Sequence, residues 1–335
     1  CLEVVKFLLD RGADMRQVQG NIRRNIVHFA CWSGNVELLQ FLIEDLHLRE
    51  EAAATDSMRQ TALHYAVLSR TVDTLQYLLE LEQPIAGLHV NALDESNHTP
   101  LHVACKEGNY DAAVYLLANT DSSPLMQCNI GATCLIEAAM EQFYMDIVEY
   151  VGRSQPETLR VRNFNGDTIL HFAAKGCFNE RFLGYLVAEL DERSLIDSVN
   201  QEGWSPLHYA ARHGNSVAFR ILFHAGADVA KLTKCGHSML HLAAQGPCPE
   251  TCSMLVHDAG ISPDVTNSLT DKSRPLHLAA ATLNFDNVRF LVECGACVTA
   301  TDIYSSSALH YACCNFIAGK EAVQLDIVKY LLDHG

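Results

Sequence analysis

Apolar residues recur along this chain in helical bursts separated by polar, glycine-containing turns. Val36, Leu39, Phe41 and Leu42 form one such stretch, and Leu325, Val328, Tyr330, Leu331 and Leu332 form another near the opposite end. A shorter apolar segment of the form Thr/Ser-x-Leu-His-x-Ala precedes these stretches. Glycine closes them, as in Ala225-Gly226-Ala227-Asp228 and Cys294-Gly295-Ala296-Cys297. The pattern predicts one repeated unit: a projecting turn, a short helix, a longer helix and a glycine stop.

The signature centres on His28, His64, His102, His171, His208, His241, His277 and His310, at intervals of 36, 38, 69, 37, 33, 36 and 33 residues. The 69-residue gap holds a degenerate copy, Thr133-Cys134-Leu135-Ile136-Glu137-Ala138, in which Ile136 replaces histidine and divides the gap into 34 and 35. Turns such as Asn200-Gln201-Glu202-Gly203 and Asn163-Phe164-Asn165-Gly166 come first, their glycines suiting a positive φ. Thr or Ser then caps the short helix. Pro100, Pro206 and Pro275 sit one residue later, where a missing N–H has no helical partner to lose.

These residues resemble ankyrin repeats, and the resemblance covers essentially the whole chain. Thr99-Pro100-Leu101-His102-Val103-Ala104 and Ser205-Pro206-Leu207-His208-Tyr209-Ala210 nearly reproduce the family signature, and Gly12-Ala13-Asp14 and Gly226-Ala227-Asp228-Val229 match its terminal motif. The resemblance implies an all-α solenoid of helix-turn-helix units with projecting β-turns, a single array over residues 1–335. Residues 1–14 read as the second half of a leading repeat, and residues 15–335 as nine copies, the last cut at its C-terminal end. Because the chain opens at Cys1 within an apolar-periodic segment and stops at Gly335 before an expected Ala-Asp, the parent protein is expected to continue both ways.

Composition narrows the function. Of 335 residues 49% are apolar and 19% charged, too apolar for a disordered chain. The formal charge of −16 argues against a general nucleic-acid binder, which needs cations to displace phosphate counterions. No stretch of eighteen apolar residues predicts membrane insertion of this segment. Thirteen cysteines without regular pairing point to a reducing, cytoplasmic compartment. Charge is also uneven: residues 71–152 carry twelve acidic residues against Lys106 alone, a net −11. Solubility and attraction for a basic segment of a partner, or of this protein, both account for that stretch.

The repeat frame deflates most candidate chemistry. One histidine per copy, on helices packed about 8–10 Å apart, lies too far from its neighbours to share a zinc ion, so the eight signature histidines are assigned to hydrogen-bonding local backbone. Cys31, Val67, Cys105, Ala139, Ala174, Ala211, Ala244, Ala280 and Cys313 occupy one small-residue slot where helices approach closely. Cys294-Gly-Ala-Cys297 has no second ligand pair. Glu44-Asp45 and Glu50-Glu51 fall at a helix end and in the loop beyond it. The reading therefore contains no metal, no cofactor and no catalytic residue.

Family resemblance places partner binding on a concave face formed by turn tips and short helices. Large residues there invite explanation: Met58, Ile130, Phe164, Trp204 and Tyr304 at tips, and Trp32, Met140, Arg212 and His213 at short-helix exits. Phe164, Trp204 and Arg212 are expected to share one surface over the fifth and sixth copies. Two departures from the repeat period, the link from Leu81 to Leu93 and an insertion around Asn315-Phe316-Ile317-Ala318-Gly319-Lys320, also mark possible binding loops. Several settings stay open: an adaptor, the cytosolic part of an ion channel, the recruiting arm of a ubiquitin ligase or palmitoyltransferase, or a spacer.

Overall fold

The computed structural model describes residues 2–16, 21–140, 145–176, 180–190, 193–314 and 318–335. Among these the regular secondary structure is helical, with isolated bridge residues at Arg24 and between Thr301 and Ser307. The fold is all-α. It divides into two compact units, Cys1–Phe164 and Asn165–Gly335.

In the first unit the helix Leu2–Asp10 is followed by four helix pairs. These are Ile26–Trp32 with Val36–Gln40, Ala62–Ala66 with Asp73–Leu79, Pro100–Glu107 with Tyr110–Asn119, and Cys134–Met140 with Met145–Ser154. The second unit carries five: Ile169–Gly176 with Glu180–Glu189, Pro206–His213 with Ser216–His224, Met239–Gln245 with Pro249–Ser253, Pro275–Ala281 with Phe285–Glu293, and Ala308–Cys314 with Glu321–His334. Two of the second helices are extended by a wider, π-type turn, at Phe41–Asp45 and Met254–Asp258. Glu50 and Glu51 lie in a short helix, Arg49–Ala53, where a loop was expected; its first turn takes both acids favourably against the backbone dipole. The insertion in the last copy lies partly outside the described residues, at 315–317. Gly319 beyond it takes a left-handed φ of 81° just before the final helix.

Each short helix is fixed at its start by the signature. Thr99 is extended and its side chain accepts the His102 N–H, while the His102 ring accepts the Thr99 N–H. Two of the orphan donors at the helix start are satisfied by that exchange. Gly108 and Gly214 end their helices in the left-handed conformation that a side chain resists. The core runs along the helix interfaces. Cys31, Val67, Cys105, Ala174, Ala211, Ala244 and Ala280 are fully buried in the small-residue slot and Ala139 nearly so, whereas Cys313, in the last copy, is exposed. The described cysteines are free thiols, and burial pushes those of Cys31 and Cys252 upward, Cys252 to about 12.

Candidate functional site

Six of the eight signature histidines join one copy to the next, whereas Nε2 of His102 is buried with no hydrogen-bond partner among the described residues. Nδ1 of His64 accepts the Thr61 N–H at 3.1 Å, and Nδ1 of His171 accepts the Thr168 N–H at 3.0 Å. With Nδ1 so used, Nε2 carries the proton and donates to a carbonyl of the following copy. His64 reaches His98 O at 3.1 Å, His171 reaches Trp204 O at 3.0 Å, His241 reaches Ser273 O at 3.0 Å and His277 reaches Ala300 O at 2.9 Å. His28 and His208 do the same with Ala54 O and Lys231 O. His310 is exposed, and its Nδ1 accepts the Ser307 N–H at 3.2 Å. Burial lowers the imidazoles of His28, His64, His102, His208, His241 and His277, those of His102, His208 and His241 to about 4. They are structural ties held neutral.

A second tie was missed by the sequence reading. Asn109 caps its helix by accepting the Ala112 N–H at 3.1 Å, and its amide donates back to Val67 O and Ser69 O at 2.9 and 2.8 Å. Asn215 likewise caps Ala218 and reaches Ala174 O, and Asn284 caps Asn287 and reaches Gly246 O. The available signal was an asparagine directly after the closing residue of the short helix, as in Gly108-Asn109 and Gly214-Asn215.

Within each unit the projecting turns hydrogen-bond tip to tip. In the first, the Ser57 N–H donates to Ile22 O at 2.8 Å, Glu95 to Met58 O at 2.8 Å, Asn129 to Ser96 O at 3.0 Å and Phe164 to Ile130 O at 3.1 Å. Met58, Ile130 and Phe164 therefore stand along one row, all exposed. Phe164 lies across Gly131, where a Cβ would come within 2.5 Å of its ring and backbone nitrogen. Trp32 and Met140 are exposed at the ends of short helices, Trp32 beside a cleft shared with Leu68, Arg70 and Thr71.

In the second unit Gln201 donates to Asn165 O, Lys234 to Glu202 O and Ile303 to Asp271 O, at 2.8, 3.0 and 3.0 Å. Tyr304 projects from this row, 74% exposed. Trp204 is half-buried instead, its ring edge-on to Tyr209 at 5.5 Å. Arg212, also half-buried, donates to Gln245 O at 3.4 Å, and His213 is exposed and stacks on Tyr209 at 6.2 Å. Phe164 falls in one unit and Trp204 and Arg212 in the other.

The degenerate fourth copy holds a polar group with no counterpart among the described residues of the other copies. Elsewhere a tyrosine on the short helix donates to the aspartate that opens the turn, Tyr65 to Asp56 and Tyr311 to Asp302, both at 2.7 Å. At the matching positions stand Glu137 and Cys128, and the thiol donates to the carboxylate at 3.4 Å. His98 from the third copy places Nε2 3.3 Å from the same Glu137 oxygen and Nδ1 3.7 Å from Asp94. Asp94, Cys128 and Glu137 push the His98 imidazole up to about 11 against its burial. Burial alone would raise the Glu137 and Asp94 carboxyls, but His98 brings both below their ordinary values. Two acids of the acidic stretch are thus committed internally. Asp146 stays outside, beside an open cleft on the longer helices lined by Tyr110, Glu149 and Tyr150.

A family profile described as ankyrin repeats (3 copies) matches residues 1–87, 135–233 and 240–335, and a second, described as ankyrin repeats (many copies), matches residues 63–117. The chain belongs to the ankyrin-repeat family. This ankyrin chain is 26% identical over 257 residues to the transient receptor potential cation channel subfamily A member 1 of Drosophila melanogaster, across 69% of its own length and 20% of that protein. It is 30% identical over 159 residues to a Danio rerio protein named for palmitoyltransferase activity, ZDHHC13, covering 48% of this chain and 24% of that one. To the nuclear factor NF-kappa-B p105 subunit of Gallus gallus it is 34% identical over 119 residues, 35% of this chain and 12% of that one. The chain spans a quarter or less of each of these relatives. Ankyrin repeats are protein–protein interaction modules, and among the described residues no helix is long and apolar enough to cross a membrane.

Proposed function

We propose that this ankyrin array is a non-catalytic recognition segment that takes a protein partner along its rows of turn tips and the adjoining short helices, the concave face of the family. One observation carries the reading. Backbone hydrogen bonds lock the tips into a row within each unit, and the side chains displayed there include the exposed Met58, Ile130 and Phe164. A pre-organised row loses little entropy on binding, and large apolar side chains repay desolvation best. The net charge of −16 supports a protein partner over nucleic acid, with exposed acids of residues 71–152 attracting a basic segment. Free thiols throughout the described cysteines support a reducing, cytoplasmic setting.

The test is affinity capture from source-cell lysate with the wild-type array and a Met58, Ile130 and Phe164 triple alanine variant, the fold of both checked by circular dichroism. A protein retained by the wild type and lost by the folded variant supports the placement; equal recovery overturns it. Among larger settings the channel subunit is favoured, because similarity to the fly channel protein extends over 257 residues, against 159 and 119 for the other two relatives. Membrane spans encoded beyond this segment in the full gene would support that setting, and a catalytic domain there would replace it.

A further inference from the structure

His98, Cys128 and Glu137 converge between the third and fourth copies with one nitrogen, one sulfur and one oxygen atom all within 4.8 Å of one another. The Nε2–Oε1 separation is 3.3 Å and the Sγ–Oε1 separation 3.4 Å. Bond lengths of about 2.0–2.1 Å to nitrogen, 2.3 Å to sulfur and 2.0–2.2 Å to oxygen put the edges of a tetrahedral zinc site at about 3.4–3.6 Å. Two edges of such a tetrahedron are therefore nearly in place, and the third closes by a small movement of sulfur toward nitrogen.

The surroundings match a metal site as well. Asp94 faces the other ring nitrogen of His98, and its Oδ1 accepts the Ser96 and His98 backbone N–H groups at 2.8 Å each. A carboxylate behind a ligating imidazole fixes the tautomer and aims Nε2 at the ion. Cys128 and Glu137 are nearly fully buried, and the His98 side chain is 14% exposed. The repeat itself does not require this set. Turn aspartate with helix tyrosine serves at Asp56 with Tyr65 and at Asp302 with Tyr311.

We propose that His98 Nε2, Cys128 Sγ and a Glu137 carboxylate oxygen bind a divalent zinc ion, with water in the fourth position and Asp94 orienting the histidine. Imidazole, thiolate and carboxylate in tetrahedral array favour Zn²⁺ over the oxygen-seeking Mg²⁺ and Ca²⁺. On binding, the Sγ–H and Nε2–H bonds break and both protons pass to solvent, the hydrated ion sheds all but one of its waters, and Zn–S, Zn–N and Zn–O bonds form. Two positive charges replace two, so the net charge of the group is unchanged. The ion clamps the signature-poor fourth copy to the third.

The experiment is titration of the metal-free, reduced array with Co²⁺ and then Zn²⁺, followed by absorption. One equivalent of Co²⁺ is expected to give a thiolate-to-metal charge-transfer band with tetrahedral visible bands, and one equivalent of Zn²⁺ to remove both. Cys128→Ser should abolish the charge-transfer band. Asp94→Asn keeps the turn acceptor but should weaken binding about 10- to 100-fold. Should Cys128→Ser fail to fold, Glu137→Gln provides the same contrast through lower affinity. Absence of a saturable one-equivalent band in the folded wild type overturns the proposal. So does an undiminished band in folded Cys128→Ser, which would place the ion on exposed thiols such as Cys235 or Cys297.

Discussion

Among the described residues Thr133 Oγ1 is buried with no hydrogen-bond partner, and the residue three positions on, where other copies supply an imidazole, is Ile136. The matching hydroxyls of Thr61, Thr99 and Thr168 each lie 2.9 Å from a histidine Nδ1, and those of Ser205 and Ser238 lie 2.8 Å away. An unpaired buried hydroxyl costs about 1–3 kcal/mol, whereas an apolar isostere in its place costs nothing of that kind. Thr133→Val should therefore stabilise the fourth copy by about 1 kcal/mol, and Thr168→Val should destabilise the fifth by a similar amount. Hydrogen exchange in the helices Cys134–Met140 and Ile169–Gly176 reads the two effects separately; the same sign at both sites would refute the argument.

Asn109 joins three backbone groups from two copies, so its loss reaches beyond its own helix. Removing a cap costs about 1 kcal/mol, and stranding the Val67 and Ser69 carbonyls adds a comparable amount. Asn109→Ala should cost about 2–3 kcal/mol in total. Asn35 caps through the Leu38 N–H alone among the described residues, so Asn35→Ala should cost about 1 kcal/mol. Equal losses in urea denaturation would show that the reach across copies contributes nothing.

The two-helix unit and its repeat were legible because they are local: cap, proline, glycine stop and helical apolar spacing all fall within one copy. What crosses between copies was not. Asn109 reads as one more polar loop residue until the Val67 carbonyl is known to lie beside it. Glu137 reads as decay of the signature, and Cys128 as an ordinary turn residue. Their meeting with His98, 39 and 30 positions earlier in the chain, exists only once the third and fourth copies stack. Trp204 was expected at an exposed tip, yet it directly precedes the Ser205 cap, and the turn brings it back onto Tyr209 five residues on.

Acid should loosen the second unit before its carboxylates titrate. Burial lowers His208 and His241 to about 4; the His208 imidazole is also opposed by His171 and Lys231 and favoured by Asp228, and His241 is opposed by His237 and His277 and favoured by Asp271. Between about pH 4 and the unfolded value near 6.5, the unfolded chain binds a proton that the folded one refuses. The stabilisation is therefore present above 6.5 and lost as pH falls toward 4. Each histidine should account for about 2 kcal/mol between pH 6.5 and 5. Exchange protection of the helices Pro206–His213 and Met239–Gln245, corrected for intrinsic rates, checks this, and a profile flat over that window would contradict it.

Trp204, directly before the Ser205 cap, and Tyr304, at the turn tip, differ in what holds them, so alanine should separate structure from recognition. Trp204 is half-buried on Tyr209, and its carbonyl receives the His171 proton at 3.0 Å, a bond sensitive to where the turn sits. Tyr304 is 74% exposed, and its backbone N–H is secured by Asp302 whatever the side chain. Trp204→Ala loses a ring contact and leaves space beside Tyr209, which should cost about 2 kcal/mol. Tyr304→Ala should stay within about 0.5 kcal/mol of the wild type, as for other surface substitutions. If the tip row is the docking surface, Tyr304→Ala weakens capture of a partner that engages the second unit while its melting curve overlays the wild type. Trp204→Ala should shift both together. A stability loss at Tyr304 as large as at Trp204 would mean that its ring packs on the array, and would remove it from the recognition surface.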